Sequence, residues 1–158
     1  MSSPVTAEIH TASPEETAAL GAGWGARLRP GMMICLLGDL GAGKTVLASG
    51  ILRGAGAPGP FRSPTFTLVW EHRGEFDLYH VDLYRLTSTE AIEDLPWDSM
   101  VSEGASAVIE WAERLPDSMR TPDRLEVSLS RSPDSALVRV IRLEGYGECR
   151  GLISEAEE

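Results

Sequence analysis

The stretch MMICLLGDLGAGKT, residues 32–45, decides the fold. Met32 to Leu37 is an unbroken apolar run, the pattern of a short strand covered on both faces. It runs straight into a loop with Gly38, Gly41 and Gly43. Beyond the loop Val46, Leu47, Ile51 and Leu52 recur at helical spacing until Gly54-Ala55-Gly56 stops the helix. Strand, glycine loop and helix in this order carry the spacing G-x-x-x-x-G-K-[ST] at Gly38, Gly43, Lys44 and Thr45. Its chemistry is anion binding. Glycines let the backbone curl so that N–H groups and the helix N-terminus point at phosphate oxygens. Lys44 would reach β- and γ-phosphates, and the Thr45 hydroxyl would ligate Mg²⁺. A plain glycine-rich turn would require neither the buried strand before it nor the helix after it.

Lys44 is the single lysine in a chain whose fourteen basic residues are otherwise arginine. A compact ammonium fits among phosphates as a point charge where a planar guanidinium is bulkier. The net charge of −10 disfavours autonomous nucleic-acid binding, which requires clustered positive charge. Cys35 and Cys149 have no partner at metal-ligand spacing and read as reduced bystanders. The start MSSPVTAEIHTASPEE lacks a basic and apolar leader, and no apolar run nears about 18 residues, so a soluble, cytoplasmic chain with no membrane contact is expected.

The 158 residues suit one domain. The expected layout is an N-terminal extension over 1–10, a phosphate-loop domain over 11–145 and a loose acidic tail over 146–158. Ser13, Pro14 and Glu16 form a helix start with a capping box, and Thr17, Leu20, Trp24 and Leu28 share one face of the helix that follows. APGPFRS, residues 57–63, is a loop leading to a hairpin through TLVW and FDLYHVDLY, with its turn at Arg73-Gly74-Glu75. A short helix is expected over 89–95, a buried strand at Ala107-Val108-Ile109, and a second hairpin from LEVSLS and ALVRVIRL. The fold class is α/β: a phosphate-loop domain with a central mixed sheet flanked by helices.

A nucleotide hydrolase also needs a carboxylate near the metal. Glu110, at the end of an apolar strand, stands where ligand-facing groups project in an α/β sheet. His80, Asp82 and Tyr84 alternate along a strand and share one face, which either lines a nucleotide or is an ordinary solvated face. Ser63-Pro64-Thr65 reads as a turn or as a γ-phosphate-sensing loop. Trp111 reads as core or interface. Arg62 and Arg85 suit salt bridges better than transition-state contacts.

Taken together, GDLGAGKT, SPTFTLV, HVDLYRL and VIEW resemble the TsaE family, small ATPases of bacterial tRNA threonylcarbamoyladenosine biosynthesis. The resemblance runs from about Thr11 to about Leu143. It implies a compact α/β domain in which Gly38, Gly41, Ala42, Gly43, Lys44, Thr45 and Val46 surround ATP, with the first helix near Ser13 close to the adenine. It implies Mg²⁺ held by Thr45 and Glu110, and catalytic roles for Lys44, Asp82 and Glu110. Ser63, Thr65, His80, Tyr84, Arg85 and Trp111 would be switch or partner-linked residues. The implied partners are TsaD and TsaB, which carry out the threonylcarbamoyl transfer and contact the tRNA, while the ATP cycle of the TsaE-like subunit resets them. Val46 stands where the family often has threonine, His72 where tyrosine is frequent and Pro96 where glycine is usual.

Two rivals share the motif: a small-molecule kinase and a nucleotide-gated binding module with incidental hydrolysis. No arginine-rich lid favours the kinase. The single lysine offers a direct test of the loop. An amine-selective reagent should modify two sites, Lys44 and the N-terminal amine, and Mg-ATP should protect the first; peptide mapping showing equal labelling with and without nucleotide would remove Lys44 from the phosphates.

Overall fold

The computed structural model describes residues 3–39, 41–57, 69–73, 75–84, 86, 88–101 and 104–156. Ser63, Thr65, Arg62 and Arg85 lie outside the described residues. The strands are β1 (Val5–Thr11), β2 (Met33–Gly38), β3 (Val69–Arg73), β4 (Asp77–Asp82), β5 (Ala105–Glu110), β6 (Arg124–Ser132) and β7 (Ser135–Tyr146). The helices are α1 (Pro14–Arg27), α2 (Lys44–Gly54), α3 (Thr89–Glu93), α4 (Trp97–Met100) and α5 (Arg150–Ala156), with 3-10 turns at Ala112–Arg114, Asp117–Met119 and Gly147–Cys149. The strands form one mixed sheet in the order β1-β7-β6-β2-β5-β4-β3. This is the expected α/β class with helices on both faces.

The apolar run of residues 33–36 is explained by its place in that sheet. β2 pairs in parallel with both β5 and β6, so it is central and must be apolar on both sides. Its side chains alternate accordingly. Ile34 and Leu36 pack with Trp24, Leu47, Ile51 and Leu52 under α1 and α2. Met33 and Cys35 pack with Ile109, Met100 and Ile92 on the face carrying α3 and α4. Because β2, β5 and β4 run parallel, their C-terminal ends meet at one edge, bringing Gly38, Glu110 and Asp82 together.

Helix α1 begins as the sequence indicates. Ser13 accepts the Glu16 N–H at 3.1 Å, and the Glu16 carboxylate accepts the N–H of Ala12, closing a capping box one residue earlier than the standard form. Its apolar face lies on α2 through glycines rather than through large side chains alone. A Cβ at Gly25 would stand 2.0 Å from the Ile51 carbonyl oxygen, and one at Gly54 would stand 2.1 Å from that of Ala22. The two backbones touch.

Both ends of the chain differ from expectation. Residues 5–10 are not an extension: β1 pairs antiparallel with β7 along its whole length, from Val5 opposite Gly145 to Thr11 opposite Arg139. Its period-two signal is the apolar set Val5, Ala7 and Ile9, which packs on the core. Residues 147–156 are not loose either. Cys149, Leu152 and Ile153 are buried in the α1–α2 core, and the Arg27 guanidinium donates to the carbonyls of Gly151 and Leu152 at 3.2 and 3.0 Å. A domain boundary at residue 11 or 145 would therefore cut the sheet or its cover. Burial pushes both free thiols, Cys35 and Cys149, up to about 12.

The backbone contact between α1 and α2 sets a stability test. Gly25→Ala forces a methyl into the Ile51 carbonyl and should lower unfolding free energy by about 3 kcal/mol. Gly23→Ala, on the same helix with open space around it, should instead raise it by about 0.5–1 kcal/mol. Urea denaturation midpoints of the two variants would decide, and equal effects would refute the close contact.

Candidate functional site

The loop after β2 is shaped by its glycines. Gly41 and Gly43 take φ of +80° and +107°, a region that disfavours any residue with a Cβ. Gly38 leaves the strand so close to β6 that a Cβ would lie 2.5 Å from the Leu129 carbonyl oxygen. Gly43 then precedes Lys44, the first residue of α2, whose opening N–H groups have no intrahelical acceptor and face the loop.

Glu110 ends β5 beside this loop and is 2% exposed. Its Oε1 accepts the Thr45 hydroxyl at 2.9 Å, and its Oε2 lies 2.5 Å from His80 Nε2. A carboxylate only accepts, so with Glu110 ionised this contact is a hydrogen bond donated by His80 Nε2–H. His80, itself 1% exposed, faces the α2 side of the sheet together with Leu78. The alternative of a solvated strand face is therefore overturned for His80. Its Nδ1 has no hydrogen-bond partner among the described residues. Asp82, opposite Glu110 in the register, is half-buried. Burial pushes its pKa up, the Tyr84 N–H that Oδ1 accepts at 2.9 Å opposes this, and the Glu110 charge adds to the rise.

Tyr84 separates from the other two. β4 ends at Asp82, and the Tyr84 ring, 48% exposed, lies against the Trp111 ring with centroids 4.8 Å apart. Trp111 is the one non-glycine residue with positive φ among the described residues, at φ 59° and ψ 42°. Such backbone strain concentrates at functional sites. It turns the indole so that the Lys44 ammonium sits 3.8 Å from the ring centroid. Lys44 Nζ also donates to the Gly38 and Asp39 carbonyls. Burial lowers its pKa, while the carboxylates of Glu113, Glu110, Asp39 and Asp82 draw it back up.

Several neighbours were not legible as site residues. Glu113, in the turn after Trp111, accepts the Gly38 N–H at 2.9 Å. Arg131 and Arg139, from the β6–β7 hairpin, donate to the Gly41 and Ala42 carbonyls at 3.3 and 3.1 Å. Finding them requires knowing that β6 lies beside β2, which local pattern does not reveal. Val46 borders a small cavity of about 80 Å³ with Ser13, Pro14, Thr17 and Leu137, so the start of α1 does stand beside the loop. Of the positions that depart from the family pattern, His72 lies on β3 against Trp70, with ring centroids 6.3 Å apart, and Pro96 precedes α4.

The central strand, glycine loop and helix, with an acidic side chain at the end of the adjacent parallel strand, define a phosphate-loop α/β protein. Residues 11–140 match the family model described as Threonylcarbamoyl adenosine biosynthesis protein TsaE. The tRNA threonylcarbamoyladenosine biosynthesis protein TsaE of a Nostoc strain is 42% identical over 113 residues, covering 69% of this chain and 70% of its own. That of Bacillus subtilis is 36% identical over 125 residues, covering 78% and 77%. The crystal structure of Bacillus subtilis YdiB superposes with a TM-score of 0.75 at 27% identity, covering 99% of this chain and 97% of that one. The chain belongs to the TsaE family. No helix among the described residues is long and apolar enough to cross a membrane.

The buried carboxylate makes the pairing measurable without any ligand. His80→Phe removes one of the two side-chain partners of Glu110 and should destabilise the fold by about 2–3 kcal/mol, while His80→Gln, able to donate again, should recover part of that. Denaturant midpoints report both; wild-type stability for His80→Phe would show that the contact is not holding the carboxylate.

Proposed function

We propose that this chain is a Mg²⁺-dependent ATPase that binds the TsaD and TsaB proteins in tRNA threonylcarbamoyladenosine modification and resets that assembly through its ATP cycle. The observation that carries this reading is the meeting of Thr45 and Glu110 at 2.9 Å beside the Lys44 loop. A hydroxyl at the start of the helix and a carboxylate from the adjacent strand are the donor set expected of a phosphate-loop cation site.

The residues fit Mg²⁺ of this kind. Among the described residues no three His, Cys, Asp or Glu side chains converge as a protein cage. Mg²⁺ instead favours one or two carboxylates with water and substrate phosphates. Thr45 and Glu110 would hold it, and when bound it would neutralise charge developing on the phosphoryl oxygens. Glu110 keeps Oε1 toward Thr45 because His80 occupies Oε2. His80 is thus a positioning residue rather than a nucleotide contact.

Lys44 supplies the phosphate-facing charge. Its present partners are two carbonyls and an indole face, all neutral, so a phosphate would be a stronger partner than any of them. Asp82, half-buried with a raised pKa, stands next to Glu110 where an attacking water would need a hydrogen-bond acceptor. The exposed large apolar residues Val46, Tyr84 and Leu137 all border this loop or its aromatic flank, which supports a protein partner seated over the nucleotide. The net charge of −10 leaves the tRNA contact to those partners.

An ATPase assay combined with reconstituted tRNA modification tests the reading. Turnover should be slow for the chain alone and rise with TsaD and TsaB. Lys44→Ala and Glu110→Ala should each lower hydrolysis at least about 100-fold and abolish support of modification. Normal hydrolysis by Glu110→Ala with unchanged Mg²⁺ dependence would refute the metal assignment, and a phosphorylated metabolite as product would refute the ATPase.

A further inference from the structure

The β6–β7 hairpin brings Arg131 and Arg139 to directly opposed positions in the register. Like charges facing one another across two strands destabilise a sheet, so the pairing needs a reason outside the hairpin. Among the described residues neither guanidinium has a carboxylate within salt-bridge distance, although the chain holds 24 acidic residues against 14 basic ones. Both donate instead to carbonyls: Arg139 to Ala136 O and Val138 O within the hairpin, and each of the two to one carbonyl of the glycine loop. Arg131 Nη2 reaches Gly41 O at 3.3 Å and Arg139 Nε reaches Ala42 O at 3.1 Å.

The peptide unit is planar and trans, so fixing a carbonyl oxygen on one side of the chain sends the next residue's N–H to the other. The Gly41–Ala42 and Ala42–Gly43 peptides are flanked by glycines at φ +80° and +107°, where rotation of the peptide plane meets little steric resistance. The Ala42 N–H donates back to Asp39 O at 3.1 Å, closing the turn, while the Arg139 bond turns the Gly43 N–H away from β7. Arg139 is in turn tethered by Nη1 to Ala136 O at 2.6 Å, so the brace is attached to the sheet.

We infer that Arg131 and Arg139 are positioning residues for nucleotide polyphosphate: they lock the peptide planes of the glycine loop and place uncompensated positive charge beside it. This rests on the nucleotide reading above, and adds a second, arginine-built source of phosphate affinity that the loop motif does not contain. Two effects follow from the same geometry. Losing either side chain frees a peptide to rotate, and it also removes one charge from the field felt by the phosphates.

Isothermal titration of Mg-ATP into wild type, Arg131→Met, Arg139→Met, Arg139→Lys and Lys44→Ala, at several salt concentrations, tests this. Each Met variant should bind about tenfold more weakly, with a flatter dependence of log Kd on ionic strength, because a charge has gone. Arg139→Lys should keep the wild-type salt slope and recover most of the affinity. Thermal melts run alongside separate these effects from unfolding; if a Met variant melts early, Arg→Gln replaces it. Wild-type affinity and slope in both Met variants, with Lys44→Ala still impaired, would overturn the inference and leave the nucleotide reading intact. No Mg-ATP binding by folded wild type would overturn that reading, and the inference with it.

Discussion

A carboxylate that is 2% exposed cannot stay charged inside a protein without partners, and Glu110 is the group around which this molecule is arranged. It stands at the end of a strand whose other five residues are all buried. Satisfying it requires a donor from the helix after the glycine loop and another from β4. Thr45 and His80 meet that demand. The requirement couples three separate stretches of chain, so the order of β2, β5 and β4 in the sheet and the position of α2 above them cannot vary independently. The glycine loop lies at their junction because it is the segment that joins β2 to α2.

The same edge of the sheet gathers both backbone strain and polarity. Trp111 accepts a left-handed backbone there, Lys44 is buried with neutral carbonyls and an indole for company, and Asp82 is held half-buried. None of these arrangements stabilises the fold well. Together they set a left-handed backbone and partly buried charged groups side by side at the ends of neighbouring strands.

The glycine loop and its flanking strand and helix are legible in the sequence for a physical reason. Phosphate-loop geometry is local: strand, glycines, lysine, hydroxyl and helix occupy consecutive residues, so spacing alone fixes their relation. Glu110 was legible because a polar residue closing an apolar strand in an α/β sheet faces the binding edge. What escaped depended on non-local pairing. β1 was passed over because an edge strand of alternating Thr, Glu and His with small apolar residues resembles a polar leader. α5 was passed over because its acidic composition hides the buried pair Leu152 and Ile153. Arg131 and Arg139 became visible only when β6 was seen beside β2. Alternation grouped His80 with Asp82 and Tyr84 without saying what that face meets, and the partner of His80, thirty residues away, could not be named from it.

The two native thiols have a practical consequence. Cys35 sits in the middle of the sheet and Cys149 under the last helix, each pushed up to about 12 by burial. The thiolate is the reactive form, and burial disfavours it at both positions. Buried away from solvent, both thiols are poorly placed to compete with an exposed one for a thiol reagent. A single cysteine engineered on the exposed rim, at Leu137 for instance, would take a fluorophore or spin label in one place without first stripping the core of its sulfur.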